Sequence, residues 1–226
     1  MEIFLVRHGQ PAWVDHGRAS ADPKLTELGH RQAAAVAREL ASTGIDEIWV
    51  SPLRRAQQTA APIAEMTGQR PVVLDWLAEA RPPSMEGLDV DAVRDIFRGT
   101  RRRSTEQWWT GYLDGEPMRA FVERVARGLD ELLSARGAHL DRAVSPPLWR
   151  NVPRGGRLLI VSHAGTTGAA LSHLLGLPQV PWAWERFYPQ HASVTRLKTV
   201  AVADGVIFSL RLFSGTAHLT PQDVSM

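Results

Sequence analysis

Short apolar runs alternate with longer amphipathic segments along most of this chain. The runs at residues 3–6, 47–50, 72–74 and 158–161 end at polar or turn-forming residues, which is typical of buried strands. Helical periodicity follows three of them, over residues 27–42, 52–66 and 167–175. Strands that alternate with helices predict a mostly parallel sheet with helices on both faces, a three-layer α/β/α sandwich.

Two regions depart from this alternation. Residues 88–138 are helical in pattern, and we expect a helical cap insertion that covers part of the sheet's ligand edge. Residues 193–202 and 206–213 predict two strands joined at Asp204-Gly205, which would form an antiparallel C-terminal edge where a second copy could pair as a homodimer. Residues 140–156, rich in Pro, Arg and Gly, predict a loop. Together these features indicate one domain over residues 1–226.

Two histidines lie in the same local setting. His8 follows the run at 3–6 through Arg7, and His163 follows the run at 158–161 through Ser162. Both imidazoles would therefore stand at the carboxyl ends of strands, the edge where open α/β sheets bind ligands. The cation Arg7 beside the pair argues against a bound metal and favours a bound anion, for which a phosphoryl group is the best candidate.

A second cationic segment is predicted to reach the same edge. Arg54 and Arg55 fall in the first turn of the helix after the 47–50 strand. A helix N-terminus already favours an anion, and an arginine there adds a bidentate donor. Beyond the next short strand come Leu77 and Glu79, so a carboxyl group is expected near the arginines.

Composition narrows the class of protein. The chain has 226 residues, 44% hydrophobic, with no cysteine and a net charge of +2. A sizeable core is therefore possible, disulfides and thiolate metal sites are excluded, and nothing calls for a nucleic-acid partner. We find neither a membrane-spanning run nor a signal peptide, so we expect a cytoplasmic protein with no membrane partner and no cofactor.

Five motifs in order give this chain a family resemblance. They are Arg7-His8-Gly9; Leu25-Thr26 with Gly29 and Gln32-Ala33; Ser51-Pro52-Leu53 with Arg55-Ala56 and Gln58-Thr59-Ala60; Leu77 and Glu79 with Glu86-Gly87; and Ser162-His163 with Gly165-Thr166. In these motifs the chain resembles the histidine phosphatase superfamily, which includes cofactor-dependent phosphoglycerate mutase. One match alone would be weak, whereas five in family order make chance resemblance very improbable.

The resemblance implies a role for each matched residue. His8 would be the nucleophile that becomes a phosphohistidine, and Glu79 the proton donor to the leaving oxygen. Arg7, Arg55 and His163 would hold the phosphoryl oxygens. Gly9 would leave room for close approach, and Thr166 would donate to phosphate. The implied activity is that of a metal-independent phosphomonoesterase acting on a small phosphorylated metabolite.

Three assignments have local rivals. Arg54 lies in the same helical turn as Arg55, Glu86 lies near Glu79, and Thr166 could instead cap its own helix. The remaining histidines show no partner pattern and are interpreted as structural or surface residues; they are His16, His30, His139, His173, His191 and His218.

Departures from the family pattern bear on the reaction. Gln10 and Val14 stand where many members have Glu and Asn, and Pro83 and Met85 replace a glycine and a tryptophan. A mutase must retain a bisphosphate, which needs extra polar contacts, so these changes favour a phosphatase. A phosphoglycerate-type mutase and a phospho-ligand-binding protein without turnover remain the alternatives.

Overall fold

The computed structural model describes residues 1–15, 18–84, 86–97, 102–111 and 114–226. The predictions made for His16 and Met85, and for part of the 88–138 cap, concern positions outside these ranges. The strands in chain order are β1 (Glu2–Arg7), β2 (Val14–Asp15), β3 (Arg18–Ala19), β4 (Glu47–Val50), β5 (Val72–Val73), β6 (His139–Asp141), β7 (Leu148–Arg150), β8 (Arg157–Ser162), β9 (Val194–Val202) and β10 (Gly205–Gly215).

The helices complete the architecture. In chain order they are α1 (Glu27–Leu40), α2 (Arg54–Thr67), α3 (Val90–Phe97), α4 (Thr105–Thr110), α5 (Met118–Ser134), α6 (Ala164–Leu174) and α7 (Ala183–Arg186). Two short 3₁₀ turns lie at Asp75–Leu77 and Pro221–Asp223. Within the described ranges, no helix is both long and apolar enough to cross a bilayer.

Eight strands form one sheet in the order β5-β4-β8-β1-β9-β10-β7-β6, while β2 and β3 pair separately. The four strands β5, β4, β8 and β1 are parallel to one another. On the other side of β1 in the sheet, β9, β10, β7 and β6 follow, and every pairing there is antiparallel. The α/β class is confirmed, but the sheet is mixed rather than mostly parallel. Its antiparallel half is built from two hairpins, β6–β7 before β8 in the chain and β9–β10 after it, and a hairpin turn reverses the chain.

Helices cover both faces of the sheet, as a three-layer sandwich requires. On one face α1 and α2 pack through Val36, Leu40 and Ile63 against the β1 and β8 side chains Val6 and Val161. On the other face α5 and α6 enclose a second cluster that includes Ile3, Leu5, Phe121, Leu129 and Leu171. Strands buried on both faces become continuous apolar runs, which is why β1, β4 and β8 were readable from the sequence.

Helix α5 corrects the expected extent of the cap. Its apolar stripe lies in the same cluster as strand residues Ile160 and Leu197, so this helix is a layer of the sandwich, and it reaches the ligand edge at its first residue, Met118. A stripe at helical spacing reports only that one face is buried, and it does not say against which element. The described part of 88–138 that is left for a cap consists of the short helices α3 and α4.

The segment 140–156 is also corrected, because it is not a loop throughout. Strands β6 and β7 form a hairpin there, and β7 joins β10 at the pair Val206 and Trp149. Strands of three residues are too short to show alternation, so the Pro and Gly around them dominated the pattern. The C-terminal hairpin of β9 and β10 forms as predicted, but two strands lie beyond it and the outermost strand is β6. A homodimer stays a prediction.

A glycine pair fixes where α1 meets the end of β1. A Cβ on Gly9 would lie 2.6 Å from the Gly29 carbonyl oxygen, and a Cβ on Gly29 would lie 2.3 Å from the Gln10 carbonyl oxygen. The Gly9 amide donates to Thr59 Oγ1 on α2 at 2.9 Å. The close approach that Gly9 permits in this structure is therefore that of helix α1, and it anchors the residue after His8 to both helices of one layer.

We expect Gly29→Ala to lower the free energy of unfolding by about 1–3 kcal/mol, the range for overpacking a close contact. In an open helix interior the same change would add about 1 kcal/mol of stability through helix propensity. Urea unfolding measures the difference. His30→Ala, at the exposed next position of α1, should change the value by less than about 0.5 kcal/mol. Unchanged or greater stability of Gly29→Ala would show that the contact does not constrain the backbone.

Candidate active site

Parallel pairing of β1 with β8 brings the two predicted histidines together. Arg7 lies opposite Ser162 in the ladder, so His8 and His163 leave the sheet side by side. Their ring centroids are 5.0 Å apart. Both residues are buried, with 3% and 1% of their surface exposed. The strand ends therefore place two imidazoles in one enclosed site, as their shared local setting predicted.

Hydrogen bonds define which nitrogen of His8 is reactive. His8 Nδ1 lies 2.7 Å from the carbonyl oxygen of Gly9, which can only accept. The ring proton therefore sits on Nδ1. Arg55 Nε donates to His8 Nε2 at 3.3 Å, so the lone pair of Nε2 points to the arginine. A neutral imidazole held in this tautomer presents Nε2 as a nucleophile.

Both histidines are held neutral. Burial, and after it electrostatic coupling with His163 and the positive charges of Arg55 and Arg7, keep the pKa of His8 well below its usual value, because a second proton on the histidine pair would be repelled. Burial and the arginines likewise keep the pKa of His163 well below its usual value. A nucleophilic histidine must be unprotonated, so the enclosed cationic setting provides the reactive form near neutral pH.

Two buried arginines flank His8. Arg7 donates through Nη1 to the Pro189 carbonyl oxygen at 2.7 Å, and its guanidinium carbon lies 5.3 Å from the centre of the Tyr188 ring. Arg55 lies over the ring of Trp13 at 4.9 Å. Burial lowers the pKa of both arginines, which nevertheless remain charged at neutral pH. The rival Arg54 is exposed, so the structure brings Arg55 and not Arg54 to His8.

Three buried nitrogen atoms around His8 make no hydrogen bond within the described protein: the donors Arg7 Nε and Arg55 Nη1, and the ring atom His163 Nδ1. The nearest anion to Arg55 Nη1 is Asp22 Oδ1, at 3.7 Å. On the far side of its ring, His163 Nε2 lies 2.7 Å from Ser51 Oγ. Since buried polar atoms are nearly always paired, three unpaired nitrogen atoms beside one imidazole, two of them arginine donors, mark a site shaped for an oxyanion.

Glu79 lies at the same edge. Its two carboxylate oxygens accept from the amides of Gly165 at 2.8 Å and Ala80 at 3.0 Å. A Cβ on Gly165 would lie 2.4 Å from Glu79 Oε1, so this glycine makes room for the carboxylate. The rival Glu86 is exposed and accepts from the amide of Ala21. The structure thus places Glu79 beside the strand-end histidines and Glu86 farther out.

Thr166 is buried in the first turn of α6, where the N-cap residue is His163 and not Thr166. Its hydroxyl donates to the carbonyl oxygens of Leu77 at 3.4 Å and Ala78 at 3.3 Å. This contact joins α6 to the segment that carries Glu79. The hydroxyl therefore positions that segment, and the alternative of capping its own helix is excluded.

His191 is the residue that sequence reasoning missed. It was interpreted as structural or surface, yet its ring lies 5.7 Å from that of His8. Ser225 Oγ accepts from Gln32 Nε2, so its own proton is available to His191 Nδ1 at 2.9 Å. That arrangement favours a proton on Nε2, a further buried atom with no partner. The available signal was its position just before β9, the strand antiparallel to β1.

Comparison with known proteins agrees with this geometry. The chain matches the Histidine phosphatase superfamily (branch 1) over residues 3–145. It is 32% identical over 200 residues to the probable phosphoglycerate mutase GpmB of Enterobacter sp. (strain 638), covering 87% of this chain and 84% of the relative. It is 29% identical over 228 residues to the protein of that name in Escherichia coli O1:K1 / APEC, covering 100% of this chain and 94% of the relative.

Solved structures give the same picture. A mycobacterial glucosyl-3-phosphoglycerate phosphatase, solved with VO3, superposes with a TM-score of 0.72 at 25% identity, covering 95% of this chain and 99% of that one. A phosphoserine phosphatase of Entamoeba histolytica, solved with 3-phosphoglyceric acid, has a TM-score of 0.70 at 22% identity, with coverage of 97% and 99%, and shows the shared fold. The chain belongs to the histidine phosphatase superfamily and is an enzyme of the phosphatase type.

The lowered pKa of His191 has a consequence for stability. Burial, and after it Arg7, lower the pKa of His191 to about 3. The unfolded chain binds a proton near pH 6.5 that the folded chain excludes, so stability falls as the pH drops below 6.5. Between pH 7 and pH 5, protonation of this histidine in the unfolded chain should lower the free energy of unfolding by about 2 kcal/mol. We expect His191→Asn to remove that part of the loss, measured by urea unfolding at both pH values.

The matched control is His139→Asn, at an exposed histidine. It should leave the difference in unfolding free energy between the two pH values unchanged. The comparison uses only the difference between the two pH values within each variant. The loss of the hydrogen bond between His191 and Ser225 lowers the unfolding free energy equally at both pH values, so it cancels from this difference. An equal pH dependence in wild type and His191→Asn would show that His191 titrates normally in the folded protein.

Proposed function

We propose that this protein is a metal-independent phosphomonoesterase that acts on a small phosphorylated metabolite through a phosphohistidine at His8. The observation that carries the proposal is the pair of hydrogen bonds to His8. The Gly9 carbonyl holds the proton on Nδ1, and Arg55 Nε points to the lone pair of Nε2. A neutral, oriented nucleophile beside fixed cations is what an in-line attack on a phosphate ester requires.

In the first step, Nε2 of His8 attacks phosphorus, an N–P bond forms, and the P–O bond to the leaving alcohol breaks. For this attack the Arg55 hydrogen bond must already have moved from Nε2 to a phosphoryl oxygen as the ester binds, because the lone pair that attacks is the one to which Arg55 donates in the empty site. In the second step, water attacks the same phosphorus, the N–P bond breaks, and inorganic phosphate leaves His8 in its starting form. No metal or redox partner is needed to balance either step.

The three unpaired nitrogen atoms support the proposal that the site stabilises the negative charge of the transition state. Arg7 Nε, Arg55 Nη1 and His163 Nδ1 would each donate to a phosphoryl oxygen, so that negative charge in the transition state meets donors already in place. His163 is better protonated once phosphate is bound, because the dianion then favours its charged form. Two guanidinium groups beside the histidines would also repel a divalent metal ion, which supports the metal-independent reaction.

Glu79 is proposed as the acid in the first step and the base in the second. Its carboxylate lies close enough to Arg7 and Arg55 to raise the pKa of each guanidinium. The backbone amides of Ala80 and Gly165 donate to its two oxygens and fix the carboxyl group in the wall of the adjoining cavity, where the leaving alcohol would lie. A proton from Glu79 to the leaving oxygen prevents formation of a free alkoxide.

Hydrolysis is favoured over the mutase reaction by two side chains. Gln10 turns away to Thr26, whose hydroxyl donates to Gln10 Oε1 at 2.9 Å. Val14 presents an apolar surface to the cavity beside Arg55. Neither supplies the additional polar contacts that would retain a bisphosphate. Phosphoryl transfer to water is therefore proposed, although some relatives carry the name of a mutase.

We expect His8→Ala to lose phosphatase activity and to form no labelled enzyme with a ³²P-ester, whereas wild type forms an acid-labile, alkali-stable label. Wild-type activity should persist in excess EDTA, since no step uses a metal. His139→Ala, at an exposed histidine, is the control and should retain full activity. Activity that survives in His8→Ala, or that EDTA abolishes, would contradict the mechanism. Phosphate-ester binding without any hydrolysis would favour the binding-protein alternative.

Glu79→Gln tests the proton donor. For alkyl phosphates kcat should fall about 10²–10⁴-fold, the usual contribution of general acid catalysis. For 4-nitrophenyl phosphate the fall should be much smaller, because that leaving group needs no proton. Glu86→Gln, at the rival carboxyl group, should change neither rate appreciably. Equal losses of Glu79→Gln on both substrates would remove Glu79 from this role.

A further inference from the structure

A large cavity opens directly from the phosphoryl site. It has a volume of about 770 Å³, and Arg55, Glu79, Ala164 and Gly165 are part of its wall. Because the phosphate of an ester lies between His8 and the arginines, the alcohol part must lie in this cavity. A cavity of this size matches those that bury most of a drug-sized ligand, so a leaving group larger than a three-carbon acid fits.

The wall beyond the phosphoryl site is mainly apolar. The apolar side chains that line it are Trp13, Val14, Leu53, Pro82, Pro83, Val93, Met118 and Trp184, with alanines between them. Trp184 is fixed by Trp108, whose ring centre lies 5.8 Å away. An apolar wall gains free energy from burying apolar groups and loses it when it desolvates polar groups without partners.

The charged groups of this wall oppose a second anion. Besides Arg55 and Glu79, its charged residues in the described part of the chain are Asp22, Glu86, Glu116 and Arg81. Glu116 is paired with Arg124 at 2.8 Å, and Asp22 accepts from the amide of Arg54 at 2.9 Å. Asp22 and Glu116 are therefore already paired with arginines, since Asp22 lies 3.7 Å from Arg55 and Glu116 is held by Arg124. In the described part of the wall, a carboxylate or second phosphate on the substrate would meet the like charge of Glu86 and one further cation, the exposed Arg81.

We propose that the preferred substrate is a phosphate monoester of an uncharged, largely apolar alcohol, and not a phosphorylated sugar acid. The proposal rests on the phosphomonoesterase function above, and it assigns the cavity as the site of the leaving group. The phosphoryl group is held by His8, His163 and the arginines, and the apolar wall selects among alcohols. This specificity differs from that of the similar solved phosphatases, which are named for glucosyl-3-phosphoglycerate and phosphoserine.

The test uses primary alkyl phosphates from ethyl to hexyl, with 3-phosphoglycerate as the acidic comparison. All are esters of primary alcohols with similar leaving-group basicity, so differences in kcat/KM report on binding of the leaving group. We expect kcat/KM to rise with each methylene, up to about fourfold for a fully buried group. We expect 3-phosphoglycerate to lie at least about tenfold below butyl phosphate.

Val14→Asn places a polar group on the wall and should lower the ratio of hexyl to ethyl kcat/KM by about threefold. Val202→Asn is the matched control, because Val202 has similar exposure, 41% against 45%, and is absent from the cavity wall. That variant should keep the wild-type ratio. Ratios taken within one variant cancel any change in the fraction of folded enzyme.

Ethyl- and hexylphosphonate, which cannot be hydrolysed, separate failure of the inference from failure of the function. Tighter binding of hexylphosphonate by calorimetry, without turnover of any ester, would overturn the phosphatase function while the apolar site stands. Hydrolysis of ethyl phosphate with kcat/KM that is flat or falling along the series would overturn the apolar specificity alone. Preference for 3-phosphoglycerate over butyl phosphate would overturn it as well.

Discussion

The parallel pairing of β1 with β8 is the interaction on which the site depends. The ladder sets Arg7 opposite Ser162, and His8 and His163 follow it directly, so one register decides the distance between the imidazoles. A slip of one residue would turn one ring to the other face of the sheet. The apolar residues of both strands are fully buried on both faces, which makes such a slip costly and keeps the two histidines aligned.

This arrangement places cations and neutral imidazoles where water is excluded, which works against stability. Arg7 and Arg55 are nearly buried, and burial lowers the pKa of both. The Pro189 carbonyl, the ring of Tyr188 and Asp22 offset part of that cost. An anion completes the pairing only when it binds. Stored electrostatic strain of this kind strengthens the interaction with a charged transition state, and natural enzymes commonly retain it at the expense of stability.

Secondary structure was predictable where its cause is local. Strand β4 and the start of α1 at Glu27 lie where the sequence places them, because an apolar run and the Thr26 hydroxyl that caps the helix act within a few residues. The errors concern partners distant in sequence. Helix α5 joins a sandwich layer and not a cap, and β6 with β7 continues the sheet through a segment expected to be a loop. Neither arrangement leaves a periodic signal, since both depend on which surface is left uncovered.

The same division holds for the site. Residue types and motif order predicted that His8, Arg7, Arg55 and His163 lie at one edge of the sheet, because a strand end or a helix start determines where each side chain emerges. The placement of Glu79 rather than Glu86 beside the arginines depends on α6 packing against the Asp75–Leu77 turn. His191 reaches His8 through the antiparallel return of β9. Such contacts join residues more than eighty positions apart, and only the order of strands in the folded sheet decides which of them meet.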